Sequence, residues 1–148
     1  KPAAGNVNED RMQGFKDYLE ANCPDIELIA EIASDFTREA GLNDMNSALT
    51  AYSEIDAVFS LDDETSIGAL QAIVESGRTD VKAITGGGGC QEYFNMMLDE
   101  KYQNIWVASA TYSPMMIEKC VENIVKVVLG EDVDRSNANE FLDANTPY

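Results

Sequence analysis

The chain has 148 residues, of which 10 are Lys or Arg and 27 are Asp or Glu, giving a formal charge of -17 with no histidine. Its 45% hydrophobic and 25% charged residues suit one globular domain rather than a disordered chain. That acidity excludes nucleic acid and anionic membrane surfaces as partners, and the lack of imidazole removes His-based triads, His metal sites and the usual general base.

Helical spacing of Met12, Phe15, Tyr18 and Leu19 predicts a helix over residues 8–22, ended by Pro24. The apolar run 26–33 (IELIAEIA) reads as a strand. Residues 36–52 read as a helix whose middle Gly41 weakens, or breaks into two pieces. A compact strand over 56–61 follows, with Asp62 and Asp63 directly after it. The next helix starts at Asp63 or Glu64, carries Ile67, Leu70, Ile73 and Val74, and stops at Ser76-Gly77. A strand over 81–85, a loop of four glycines (Gly86 to Gly89), a helix over 90–98 and a strand over 105–111 come next. Pro114 opens a last helix that runs to Gly130, and the acidic polar tail 131–148 receives no element.

This alternation predicts an α/β fold: a three-layer, Rossmann-like open parallel sheet with helices on both faces. Ligands of such sheets bind beyond the carboxyl ends of the strands. Attention therefore falls on Asp62, Asp63, the four glycines, Tyr112 and Ser113. The chain opens on a helix, as if the sheet had lost its first strand or borrowed one.

The glycine run fits neither phosphate motif. Gln91 stands where a dinucleotide fingerprint needs its third glycine, and Cys90-Gln91-Glu92 follows where a P-loop needs Lys and Ser or Thr. A turn that lets backbone amides approach a neutral ligand is the reading that remains. Of the two aspartates, Asp62 is expected to face the cleft and Asp63 to cap the following helix. An enzyme using either as a base lacks a second catalytic carboxylate, so no catalytic activity is expected. Cys23, Cys90 and Cys120 show no CxxC spacing and read as buried thiols, with no zinc site. The tail spacing of a calcium loop fails at Asn137 and Asp143, so neither metal nor cofactor is expected. Trp106 and the pairs Met96-Met97 and Met115-Met116 read as core, and Tyr112 as a face for stacking on a sugar. Arg11 is either a solvated side chain or a bidentate donor reaching the cleft. No apolar run reaches the roughly 20 residues of a membrane span, and Lys1 to Gly5 reads as a mature or trimmed start without a signal core.

Arg11-Met12-Gln13-Gly14-Phe15, the run from Ile55 to Glu64, and Ile67 to Ile73 resemble the second half of ribose/galactose-type periplasmic sugar-binding proteins of ABC importers. Glu75-Ser76-Gly77-Arg78, Val81 to Gly86, Ala110-Thr111 with Pro114, and Val128-Leu129-Gly130 continue the resemblance in order, from about Gly5 to Gly130. The resemblance implies that residues 1–130 are one lobe, the C-terminal one, of a two-lobed binder that closes on a sugar, with 131–148 crossing towards the other lobe. It places the family's cleft arginine on Arg11 (or Asn8 or Glu9) and a polar residue after the central strand on Asp62. The Asp that accepts hydrogen bonds from sugar hydroxyls falls on Gly88 (Gly87 in the neighbouring register), and the usual Gln or Asn before Pro114 is replaced by the short Tyr112-Ser113. The expected ligand-binding residues are therefore Arg11, Asp62, Gly88, Tyr112 and Ser113. A small polar solute, the membrane subunits of an ABC importer and a periplasmic or extracellular site, with a lipoprotein anchor as an option, follow from the same resemblance. So does an alternative, the effector domain of a LacI-type regulator. An unpaired sheet edge left by an absent lobe would favour a homodimer.

Overall fold

The computed structural model describes residues 6–112 and 116–132. Among them the order is α1 (Asn6–Asn22), α2 (Arg38–Ala51), β1 (Ala57–Val58), α3 (Asp63–Ser76), β2 (Ala83–Gly88), α4 (Gln91–Leu98), a 3-10 turn (Glu100–Tyr102), β3 (Trp106–Thr111) and α5 (Met116–Val128). The strands form one parallel sheet in the order β1-β2-β3, with Ala57 opposite Ala83 and Gly88 opposite Thr111. The chain divides into two compact units, Lys1–Thr111 and Tyr112–Tyr148.

In the first unit one sheet face carries the core. Ile84 is fully buried, and Val58 and Val107 pack against the same cluster. From α3, Ile67, Leu70 and Ile73 recur at helical spacing, and Tyr93 of α4 closes the layer. Each such side chain contributes about 1.5–3 kcal/mol on burial. α2 covers α3 at very short range: a Cβ on Gly68 would come 2.7 Å from the Leu42 nitrogen, and one on Gly41 would meet the Thr65 carbonyl. Gly41 thus does not break α2; its missing side chain is what lets the two helix backbones touch.

Alternation along the strands turns Phe59 and Trp106 to the other face. There the Phe15 and Phe59 rings stack at 3.9 Å between centroids, which lays α1 beside the end of β1. Trp106 is 65% exposed, against the expectation of core, because it faces away from the layer that Val107 joins. The expected strand 26–33 does not form. Ile26, Leu28, Ile29 and Ile32 are exposed, and β1 itself ladders over two residues only, too short an edge to hold a further parallel neighbour. β2 in contrast runs on through Gly88, so most of the glycine loop is strand.

The second unit contains α5, whose Ile117, Val121, Ile124, Val125 and Val128 form an exposed apolar stripe. Cys120 on this helix is exposed, contrary to the buried-thiol expectation, and Cys23 and Cys90 are half-buried. No helix among the described residues is long and apolar enough to cross a membrane. The tail beyond Asp132, including Asn137 and Asp143, and the residues Ser113, Pro114 and Met115 lie outside the described residues.

Candidate functional site at the carboxyl edge of the sheet

The turn after β1 begins at Ser60 and Leu61 and leads into α3. The capping roles expected of the two aspartates are reversed. Asp62, in extended backbone, is the N-cap, and its Oδ1 accepts the Thr65 N–H at 3.1 Å. Asp63 is 2% exposed, points under the sheet edge and cannot cap. Its Oδ2 accepts the N–H groups of Gly89 (2.8 Å) and Cys90 (2.7 Å), and its Oδ1 accepts the Ser109 hydroxyl at 2.7 Å. One carboxylate thereby joins α3, the start of α4 and β3. Ser66 completes the hub, its hydroxyl 2.6 Å from the Asp62 carbonyl and 2.9 Å from that of Thr85.

The glycines are shaped by this hub. A Cβ on Gly86 would overlap Asp63 Oδ1 and come 2.7 Å from the Tyr93 ring, so only a bare backbone fits. Gly88 (φ 129°) and Gly89 (φ 90°) take backbone angles that side chains disfavour, which turns the Gly89 and Cys90 amides inward onto Asp63. The amides that could have approached a ligand at this point are thus already satisfied. Neither the aspartate pairing nor its dependence on Gly86 was visible in the sequence: residues 63, 89 and 109 are far apart in the chain, and only topology joins them.

On the other side of the edge, Arg11 reaches across from α1 and donates from Nη1 to the Leu61 carbonyl at 2.8 Å. Arg11 is thus bonded to a backbone carbonyl at the strand end rather than fully solvated. Near the starts of α2, α3 and α4, Arg38 bridges Glu64 (Nε–Oε2 2.5 Å) and Glu92 (Nη2–Oε2 2.7 Å). Its guanidinium holds the Glu64 carboxyl below the usual range. Tyr112 is 50% exposed and belongs to the second unit, and Ser113 is outside the described residues, so Arg11, Asp62 and Gly88 are the expected ligand residues that the first unit brings to one edge. Among the described residues no group of carboxylates and thiols could hold a metal ion.

Residues 2–132 match the sequence model of the periplasmic binding protein domain. The chain belongs to this family. It is 32% identical over 134 residues to the ribose import binding protein RbsB of Escherichia coli (strain K12), an alignment covering 88% of this chain and 42% of that protein. The chain thus spans less than half the length of this curated relative. Among solved structures it is similar to a Mycobacterium smegmatis protein in complex with β-D-fucofuranose, with a TM-score of 0.71 and 27% identity over 84% of this chain and 40% of the other. The periplasmic binding protein of an arabinose ABC transporter from Shewanella sp. ANA-3, 23% identical, shares the fold at a TM-score of 0.74 over 99% of this chain and 57% of the other. The Escherichia coli relative is an import binding protein and the Shewanella structure a periplasmic binding protein component, and neither favours the regulator alternative. The partial coverage of each agrees with the expectation of a single lobe.

Proposed function

We propose that this chain is the C-terminal lobe of the solute-binding component of an ABC importer, and that it closes with a second lobe over a sugar or similar neutral polyol. The observation that carries the reading is the polar carboxyl edge, where the Arg11 guanidinium and Asp62 stand together beyond β1 in a chain related to a ribose import binding protein. Asp62 keeps one carboxylate oxygen outside its cap bond, an acceptor for a hydroxyl, and Arg11 supplies donors. Gly88 leaves open backbone at the same edge, while Tyr112 and Ser113 are carried as ligand residues by the family resemblance alone. Membrane subunits of the importer are the macromolecular partners, and the site of action is periplasmic or extracellular, with a lipid anchor on the full-length protein as a further element.

Half a cleft gives little affinity. Calorimetry of the isolated chain against a panel of pentoses and hexoses is expected to show weak or undetectable heat, whereas the full-length protein binds one of them. Micromolar binding by the isolated chain would overturn the half-cleft reading. In the full-length protein, Arg11→Ala should weaken that binding by about 10- to 100-fold, the loss of a charged donor.

A further inference from the structure

Asn8 stands in the first turns of α1 and is 1% exposed, yet neither its Nδ2 nor its Oδ1 has a hydrogen-bond partner. A buried amide left unpaired is costly, and native proteins satisfy nearly all such groups. Its location follows from two contacts on the same helix. Phe15 lies over Phe59, and Arg11 reaches Leu61, so α1 runs antiparallel to β1. Four helix residues, about 6 Å, match two strand residues, about 6.6 Å. Asn8 lies three residues further back, about 4.5 Å, which carries it past Leu61 and level with the turn that holds Asp62. Residues 8, 11 and 15 share one helix face, so this amide belongs to the face turned towards the strand end.

We infer that Asn8 is a specificity-determining residue of the ligand site, whose unpaired amide is completed by a hydroxyl of a neutral polyol. An amide offers one acceptor and two donors without charge, which matches a hydroxyl in both directions and favours neither an acid nor an amine. The inference rests on the sugar-binding reading and narrows it, adding a buried uncharged amide on the helix face that carries Arg11. A group kept unpaired for a ligand has a signature that a structural amide lacks. Its removal relieves the free protein and harms only the complex.

Melting curves of the full-length protein with and without D-ribose, D-galactose and L-arabinose test this, using Asn8→Leu, with Asn8→Ala in case the larger side chain does not fit. The expected result is an unchanged or raised melting midpoint without sugar, and a sugar-induced shift that is lost, matching a Kd weakened about tenfold or more. A variant that keeps the full sugar-induced shift overturns the inference, as does one that melts lower without sugar while still responding to it, the mark of a structural amide. If the parent protein itself responds to none of the sugars, the sugar-binding reading falls, and this inference with it.

Discussion

Each edge of the sheet is fastened by one aspartate, and the two fastenings are built differently. At the carboxyl edge, Asp63 is buried and takes two backbone N–H groups and a hydroxyl from residues 26 to 46 positions away. At the amino edge, Asp80 is only half-buried and pairs with Arg78, two residues off, while its Oδ2 accepts the Ile55 N–H at 2.8 Å. Arg78 also donates to the Leu49 carbonyl at 2.8 Å and to that of Tyr52 at 2.6 Å, tying the end of α2 to the strand entry. The amino edge thus uses a local ion pair. The carboxyl edge uses neutral donors, so no cation is consumed by Asp63 where a ligand would lie. A local, wet ion pair is weakly stabilising, whereas a buried carboxylate serving three donors is strongly missed when removed.

The largest effect should therefore come from Asp63→Ala. It leaves the Gly89 and Cys90 amides and the Ser109 hydroxyl without their acceptor, an expected loss of about 3–5 kcal/mol in chemical denaturation. Asp63→Asn keeps one acceptor oxygen and should lose less. Faster hydrogen exchange at Gly89 and Cys90 would confirm that the edge, not the core, has opened. Next comes Gly86→Ala, which forces a methyl into the Asp63 carboxylate and the Tyr93 ring and should lose about 1–3 kcal/mol. If Gly86→Ala were neutral, the close approach would not be what fixes the glycine there.

The same contrast explains what the sequence could and could not disclose. Helices α1, α2 and α3 and strands β2 and β3 follow from apolar spacing, with Gly77 ending α3 as expected, because those signals are local. The failures are tertiary. The 26–33 run has strand composition, but a strand needs a ladder partner. Trp106 has the composition of core, but its face depends on which helices lie over it. Arg11 and Asp62 could be placed at the edge because strand ends are readable, while the passing of the cap from Asp63 to Asp62 turns on a backbone angle that neighbouring aspartates do not reveal. The burial of Asn8 had no local signal in the sequence.

At the amino edge, the Arg78 guanidinium first, and then the Ile55 N–H, holds the Asp80 carboxyl well below the usual carboxylate range. A carboxyl depressed in the folded state contributes stability that is complete above its unfolded pKa of about 3.9 and is lost as pH falls through the folded value. Asp80→Asn should therefore flatten the acid limb of the stability curve below about pH 4, with a neutral-pH loss smaller than that of Asp63→Ala. An acid limb of unchanged slope would mean that Arg78 is held by the Leu49 and Tyr52 carbonyls alone.

Tyr93 gives the smallest effect and the opposite sign. Burial pushes its phenol up; the Ser66 hydroxyl, directed at two carbonyls, offsets part of this, and the Asp63 charge adds to the rise. A phenol raised in the folded state contributes stability that is present below the unfolded value of about 10 and lost as pH rises through the folded one. Because the Tyr93 hydroxyl has no hydrogen-bond partner of normal geometry, Tyr93→Phe should change stability at pH 7 by less than about 1 kcal/mol. Above about pH 10 the parent should lose stability more steeply than the variant, since only its unfolded chain gains by ionising this phenol. Parallel curves through that range would place the hydroxyl in water, and the Asp63 hub with it.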